Sequence, residues 1–152
     1  MDRDTAVYRD QVLRAFFEGK DWDENDEFKL KRYLVLNSTE LLPGFPFLID
    51  DEWDVEPGKT DKGRGDLVFT DGEGDFAVVE VKFIDLGRTG KTVRTKRKNS
   101  RNKVISQAVD YGKKVYECFG PDVTVESYSF TNEVGTPVLE GMVSAKGSFV
   151  TR

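Results

Sequence analysis

The stretch GDLVFTDGEGDFAVVEVK, residues 65–82, decides the fold. Residues 66–70 and 76–84 are rich in Val, Phe and Ile, as strands are, and DGEGD at 71–75 supplies two glycines for a tight hairpin turn. Side chains on a strand alternate faces, so Glu80 and Lys82 point the same way, into a sheet otherwise made of Val and Phe. A buried charge costs several kcal/mol unless it is paired or bound to a metal. If Gly72-Glu73-Gly74 forms a three-residue loop, opposed positions sum to 146 and Asp66 faces Glu80. A two-residue turn at Gly72-Glu73 would slip the register and separate them.

Outward from the hairpin, the sequence predicts helices over 5–18, 24–36 and 101–119 and strands over 45–55, 123–131 and 137–145. Asp4 or Thr5 can cap the first helix, and Pro46 puts the first strand at an edge or start. Residues 56–65 read as a loop by composition, and 86–100 as a mobile basic loop too polar to pack. The order is α-α-β-β-β-α-β-β. At 152 residues, with 38% hydrophobic and 12% aromatic content, the chain suits one domain with one core.

Composition removes whole classes of chemistry. There are no histidines, so histidine triads and histidine-held zinc are out. Cys118 is the sole cysteine, which leaves no intrachain disulfide and no thiolate cluster. A metal would be held by oxygen, favouring magnesium, manganese or calcium. No apolar run reaches the ~18–20 residues that span a bilayer. The opening MDRDTAVYRDQ lacks the apolar centre of a signal peptide, so an intracellular protein is expected, nuclear if KTVRTKRK serves as an import patch.

Net charge is −5, but it is unevenly spread. Residues 86–103 hold eight basic and no acidic residues, leaving 15 of the 23 basic residues against all 28 acidic ones, a net −13 elsewhere. Such polarity suits a polyanion on one side of the molecule. The segment GRTGKT at 87–92 is no phosphate loop, because Asp85 stands where the leading glycine should be. The tripeptide RGD at 64–66 carries no weight without secretory features, and Trp22 and Trp53 read as core or half-buried residues.

Two carboxylates brought together by the hairpin repel unless a cation lies between them. Asp66 and Glu80, with the carbonyl of Val81, could hold a hard divalent ion, and Lys82 could orient a water or meet charge developing on phosphorus. An ordinary ion pair or a wet edge strand would explain Glu80 and Lys82 alone. The combination resembles the signature of the PD-(D/E)xK nuclease superfamily, with its restriction-endonuclease-like fold: Asp66 matches the Asp, Glu80-Val81-Lys82 the Glu-x-Lys, and Gly65 the glycine that often precedes the Asp. The proline of the name is absent, with Gly65 in its place. Gln107 and Tyr111, four apart on the third helix, resemble the Gln-x-x-x-Tyr motif of RecB-like and phage-exonuclease-like branches.

The resemblance covers roughly 45–131 and implies an α/β core with a mixed sheet flanked by helices. It implies a nuclease using magnesium or manganese held by Asp66, Glu80 and Val81. Lys82 would assist the attacking water and Gln107 would support the site. Tyr111, with Arg94, Lys96, Arg97, Lys98, Arg101 and Lys103, would hold the nucleic-acid backbone, DNA ahead of RNA. In these enzymes the first helix often adds an acid, for which Asp10 and Glu18 are the candidates. A homodimer or protein partner would supply specificity. The alternatives are a module on the same fold that binds nucleic acid or protein without cutting, and an acidic interaction protein.

Overall fold

The computed structural model describes residues 1–56, 59–87, 90–145 and 147–150, with 54–64 and 147–150 described by backbone alone. The architecture is α/β, an open mixed sheet with helices on its faces. Helices α1 (Arg3–Gly19), α2 (Asp26–Leu36) and the short α3 (Ser38–Leu41) precede strands β1 (Phe47–Glu56), β2 (Lys59–Thr70) and β3 (Asp75–Lys82). Helix α4 (Lys91–Phe119) then leads to β4 (Thr124–Thr131), β5 (Val138–Ser144) and β6 (Gly147–Val150). Strand order follows chain order, and among the described residues β3 with β4 is the one parallel pair, joined by α4 as its crossover.

Local chemistry sets the helix starts. Asp2, rather than Asp4 or Thr5, caps α1 by accepting from Thr5 N–H at 2.8 Å, and Asn25 caps α2 through Phe28 N–H at 2.9 Å. The hairpin takes the three-residue loop. Leu67 pairs with Val79, Val68 with Val78, Phe69 with Ala77 and Thr70 with Phe76, and Gly72 and Gly74 take φ of +80° and +109°.

Two expected loops differ. Helix α4 begins at Lys91, ten residues before the expected start, so 91–100 is helix and not loop. Lys and Arg are good helix formers, and extending an established helix costs little. Strand β2 begins at Lys59, because its backbone continues to pair with β1 out to Glu56 opposite Lys59; residues 57 and 58 of that expected loop lie outside the described residues. The short α3 and β6 are additions to the expected order.

The pleat sorts the hairpin's side chains. Leu67, Phe69, Ala77, Val79 and Val81 join Phe17 and Leu34 in one core layer beneath α1 and α2. Val68, Phe76 and Val78 join Val115 and Val125 in a second layer beneath α4. Asp66, Glu80 and Lys82, two residues further along, therefore belong to the α4 face. Helix α4 comes closest to the sheet at Gly112, where a Cβ would lie 1.9 Å from Ser127 Oγ.

Candidate functional site

The ladder between β2 and β3 opens where the charges begin. Val81 N–H donates to Asp66 Oδ2 at 2.8 Å, and Asp66 N–H donates to Glu80 Oε1 at 3.2 Å. Each carboxylate is thus fixed by main chain belonging to, or next to, the other residue. In an extended strand a residue's N–H and C=O face the same neighbour, so the Val81 carbonyl is also directed toward β2 at Asp66.

Glu80 is 4% exposed. Burial, and then the adjacent Asp66 carboxylate, push its carboxyl up to about 9. The pair thus keeps a proton at neutral pH in the absence of a cation. The donors are all oxygen: two crowded carboxylates and a main-chain carbonyl. That set suits a hard divalent ion such as magnesium or manganese, with water and phosphate completing the shell. Among the described residues no group of three or more His, Cys, Asp or Glu side chains is placed to hold a metal.

A cleft of about 300 Å³ opens on this pair. Asp66, Glu80 and Lys82 line it from the sheet, and Ser100, Lys103 and Gln107 line it from α4. Asp66, Glu80, Val81, Lys82, Lys103 and Gln107 thus line one cleft. Tyr111 lies one turn beyond Gln107, half-buried, edge-on to Trp53 with ring centroids 5.9 Å apart. Burial, and then the charges of Glu80 and Asp66, raise its phenol. Trp53 in turn covers Gly65, where a Cβ would meet indole atoms at 2.3–2.5 Å. The glycine before Asp66 is required by packing.

The other basic candidates separate. Lys96, Ser100, Lys103 and Gln107 fall on one face of α4 at about 100° per residue, while Arg94, Lys98 and Arg101 fall on the far side. Arg101 is engaged by Glu133 through two bonds of 2.6 and 2.7 Å. Arg97 donates to the Asp85 carbonyl at 2.7 Å.

Neither first-helix acid reaches the cleft. Asp10 is tied to Arg14 at 2.8 Å and accepts from Leu48 N–H at 2.8 Å, a structural duty, and Glu18 is exposed. Helix α2 supplies what the sequence reading missed. Glu27 stands 3.8 Å from Lys82, and its carboxylate also accepts from Phe83 N–H at 3.4 Å. Lys31, one turn on, lies 2.5 Å from Asp51 and 3.7 Å from Asp66. Burial disfavours the Lys31 ammonium, but Asp51 and Asp66 more than offset it and its pKa is raised. Asp51 is raised too, by burial, despite Lys31. The only local signal for Glu27 and Lys31 was opposite charge at four-residue spacing, which any solvated helix carries.

Comparison with family models, with curated proteins and with solved structures returned no match.

Proposed function

We propose that the chain is a metal-dependent nuclease of the PD-(D/E)xK type, hydrolysing phosphodiester bonds of nucleic acid, DNA ahead of RNA. The observation that carries this reading is the interlocked Asp66–Glu80 pair on the floor of a cleft that also holds Lys82 and Gln107. Asp66, Glu80 and the Val81 carbonyl would hold magnesium or manganese. Such an ion, when bound, polarises a phosphate and acidifies water.

The chain's own side chains do the rest. Lys31 keeps a positive charge beside Asp66, 3.7 Å away, and so helps to hold that carboxylate in place. Lys82, half-exposed at the cleft, presents an ammonium to the attacking water and to charge growing on the phosphoryl oxygens. Glu27 restrains that ammonium from the opposite wall. Gln107 offers an amide to the same space.

The test is cleavage of labelled single-stranded DNA, duplex, branched DNA and RNA with magnesium, manganese or EDTA, for wild type and Lys82→Ala. Metal-dependent products that vanish in a folded Lys82→Ala protein support the reading. Binding without products on every substrate would replace it with a non-cleaving module. Unchanged cleavage by Lys82→Ala would remove the role given to Lys82.

A further inference from the structure

A second cleft, about 270 Å³, adjoins the first. The two share Lys82 and Ser100, so they are successive parts of one groove. Phe83, Lys96 and Arg97 line the second part. Its wall is fixed, because the Asn132 amide bonds both main-chain groups of Ile84, at 2.7 and 2.8 Å. Arg97 is tied across to Asp85 O, which joins α4 to that same wall.

Two features give the groove its chemistry. Lys96 and Lys103 lie along its α4 side and Lys82 on its sheet side, and neither Lys96 nor Lys103 is drawn into an ion pair among the described residues. Lys96 and Lys103 are seven residues apart, roughly 10 Å along the helix at 1.5 Å per residue. That is far enough to hold a phosphate beyond the one at the carboxylates. Phe83 is a half-buried aromatic in the same cleft. Cations tracking a backbone beside an aromatic face is how unpaired strands are held, since a base can stack only when it is not paired inside a duplex.

We infer that this groove binds a single nucleic-acid strand, with Lys96 on a phosphate next to the scissile one and Phe83 against a base. The inference rests on the nuclease reading above and names its substrate class. Each part of the groove has room for about one nucleotide, at the small end of ligand pockets. Glu27 of α2 and Ser100, Lys103 and Gln107 of α4 flank the floor carboxylates. The strand lies on the Lys96–Ser100–Lys103–Gln107 face, and Arg94, Lys98 and Arg101 stay outside it.

Anisotropy of fluorescein-labelled oligothymidylate in EDTA reads binding without cleavage. Lys96→Ala and Phe83→Ala should each weaken binding about fivefold or more, and Lys96→Ala should lower the salt slope by about 0.7. Lys98→Ala, on the far face, should change affinity less than twofold, and Lys96→Arg should restore it. Unlabelled duplex should compete worse than unlabelled single strand. Equal losses in Lys96→Ala and Lys98→Ala, or better competition by duplex, would overturn the inference. Each variant's thermal midpoint is measured alongside, and a loss of binding counts only in a folded protein. A cleaving enzyme indifferent to Lys96 and Phe83 defeats the groove alone. A non-cleaving protein with the expected Lys96, Phe83 and Lys98 pattern keeps the groove and defeats the nuclease.

Discussion

Lys31 stands 3.7 Å from Asp66 with 7% of its side chain exposed, and reaches Asp51 at 2.5 Å in the same span. One buried ammonium thus joins α2 to both strands of the β1–β2 hairpin at the candidate site. Removing one partner of a buried pair strands the other charge. Lys31→Met should therefore lower stability by about 3 kcal/mol, read as a shift of the urea midpoint at unchanged slope. Magnesium should restore more stability to this variant than to wild type, because its site carries one positive charge fewer. A variant as stable as wild type would show that Lys31 contributes no more than a surface pair.

Gly65 is held against the Trp53 ring, which is a rigid obstacle. Gly65→Ala should cost about 1–3 kcal/mol by overpacking, visible as a lower thermal midpoint. It should also lower activity, because the displaced chain carries Asp66. Trimming the obstacle with Trp53→Leu should recover part of that stability in the double variant, as contacting residues couple.

The hairpin could be read in advance because its determinants are local. Two glycines at 72 and 74 permit the three-residue loop, and a one-residue slip would have turned Val68 and Val78 away from their core. That register alone brings Asp66 to Glu80. What α2 does could not be read, since Glu27 and Lys31 gain meaning only when tertiary packing lays them against Lys82 and Asp66. Asp10 shows the converse: an acid on the right helix is drawn off by Arg14 and by the main chain of Leu48. The start of α4 is hidden in a run of charge, whose packing is poor but whose backbone preference is helical.

Glu27 and Lys82 are both near half-exposed, at 45% and 47%, and 3.8 Å apart. Such a pair stabilises little, so Glu27→Gln should leave stability within about 0.5 kcal/mol of wild type. Its effect on catalysis should be larger. With Lys82 no longer restrained, kcat should fall about tenfold at little change in KM, as expected when a reacting group loses its alignment. Steady-state rates on the preferred substrate, with chemical denaturation alongside, separate the two effects. A loss of stability without a change in kcat would make Glu27 structural.

Glu80 sets the pH response of the metal-free protein. Its carboxyl, ordinarily near 4.5, is raised to about 9, chiefly by burial and next by Asp66. Below about pH 4.5 it is protonated both folded and unfolded, and the contribution is fully present. Between about 4.5 and 9 the unfolded chain has lost a proton that the folded chain keeps, so stability falls as pH rises, and it levels off above that range. Glu80→Gln keeps the shape without the titration. In EDTA at pH 8 it should melt several degrees above wild type, about 2–4 °C per kcal/mol for a chain of this size, while cleavage is lost. Saturating magnesium should flatten the wild-type slope, since a bound cation takes the place of the proton. Urea titrations from pH 6 to 9, with and without magnesium, measure the slopes, and thermal melts and the cleavage assay measure the variant. A wild-type stability that rises with pH across that window in EDTA would show that the pair carries no proton.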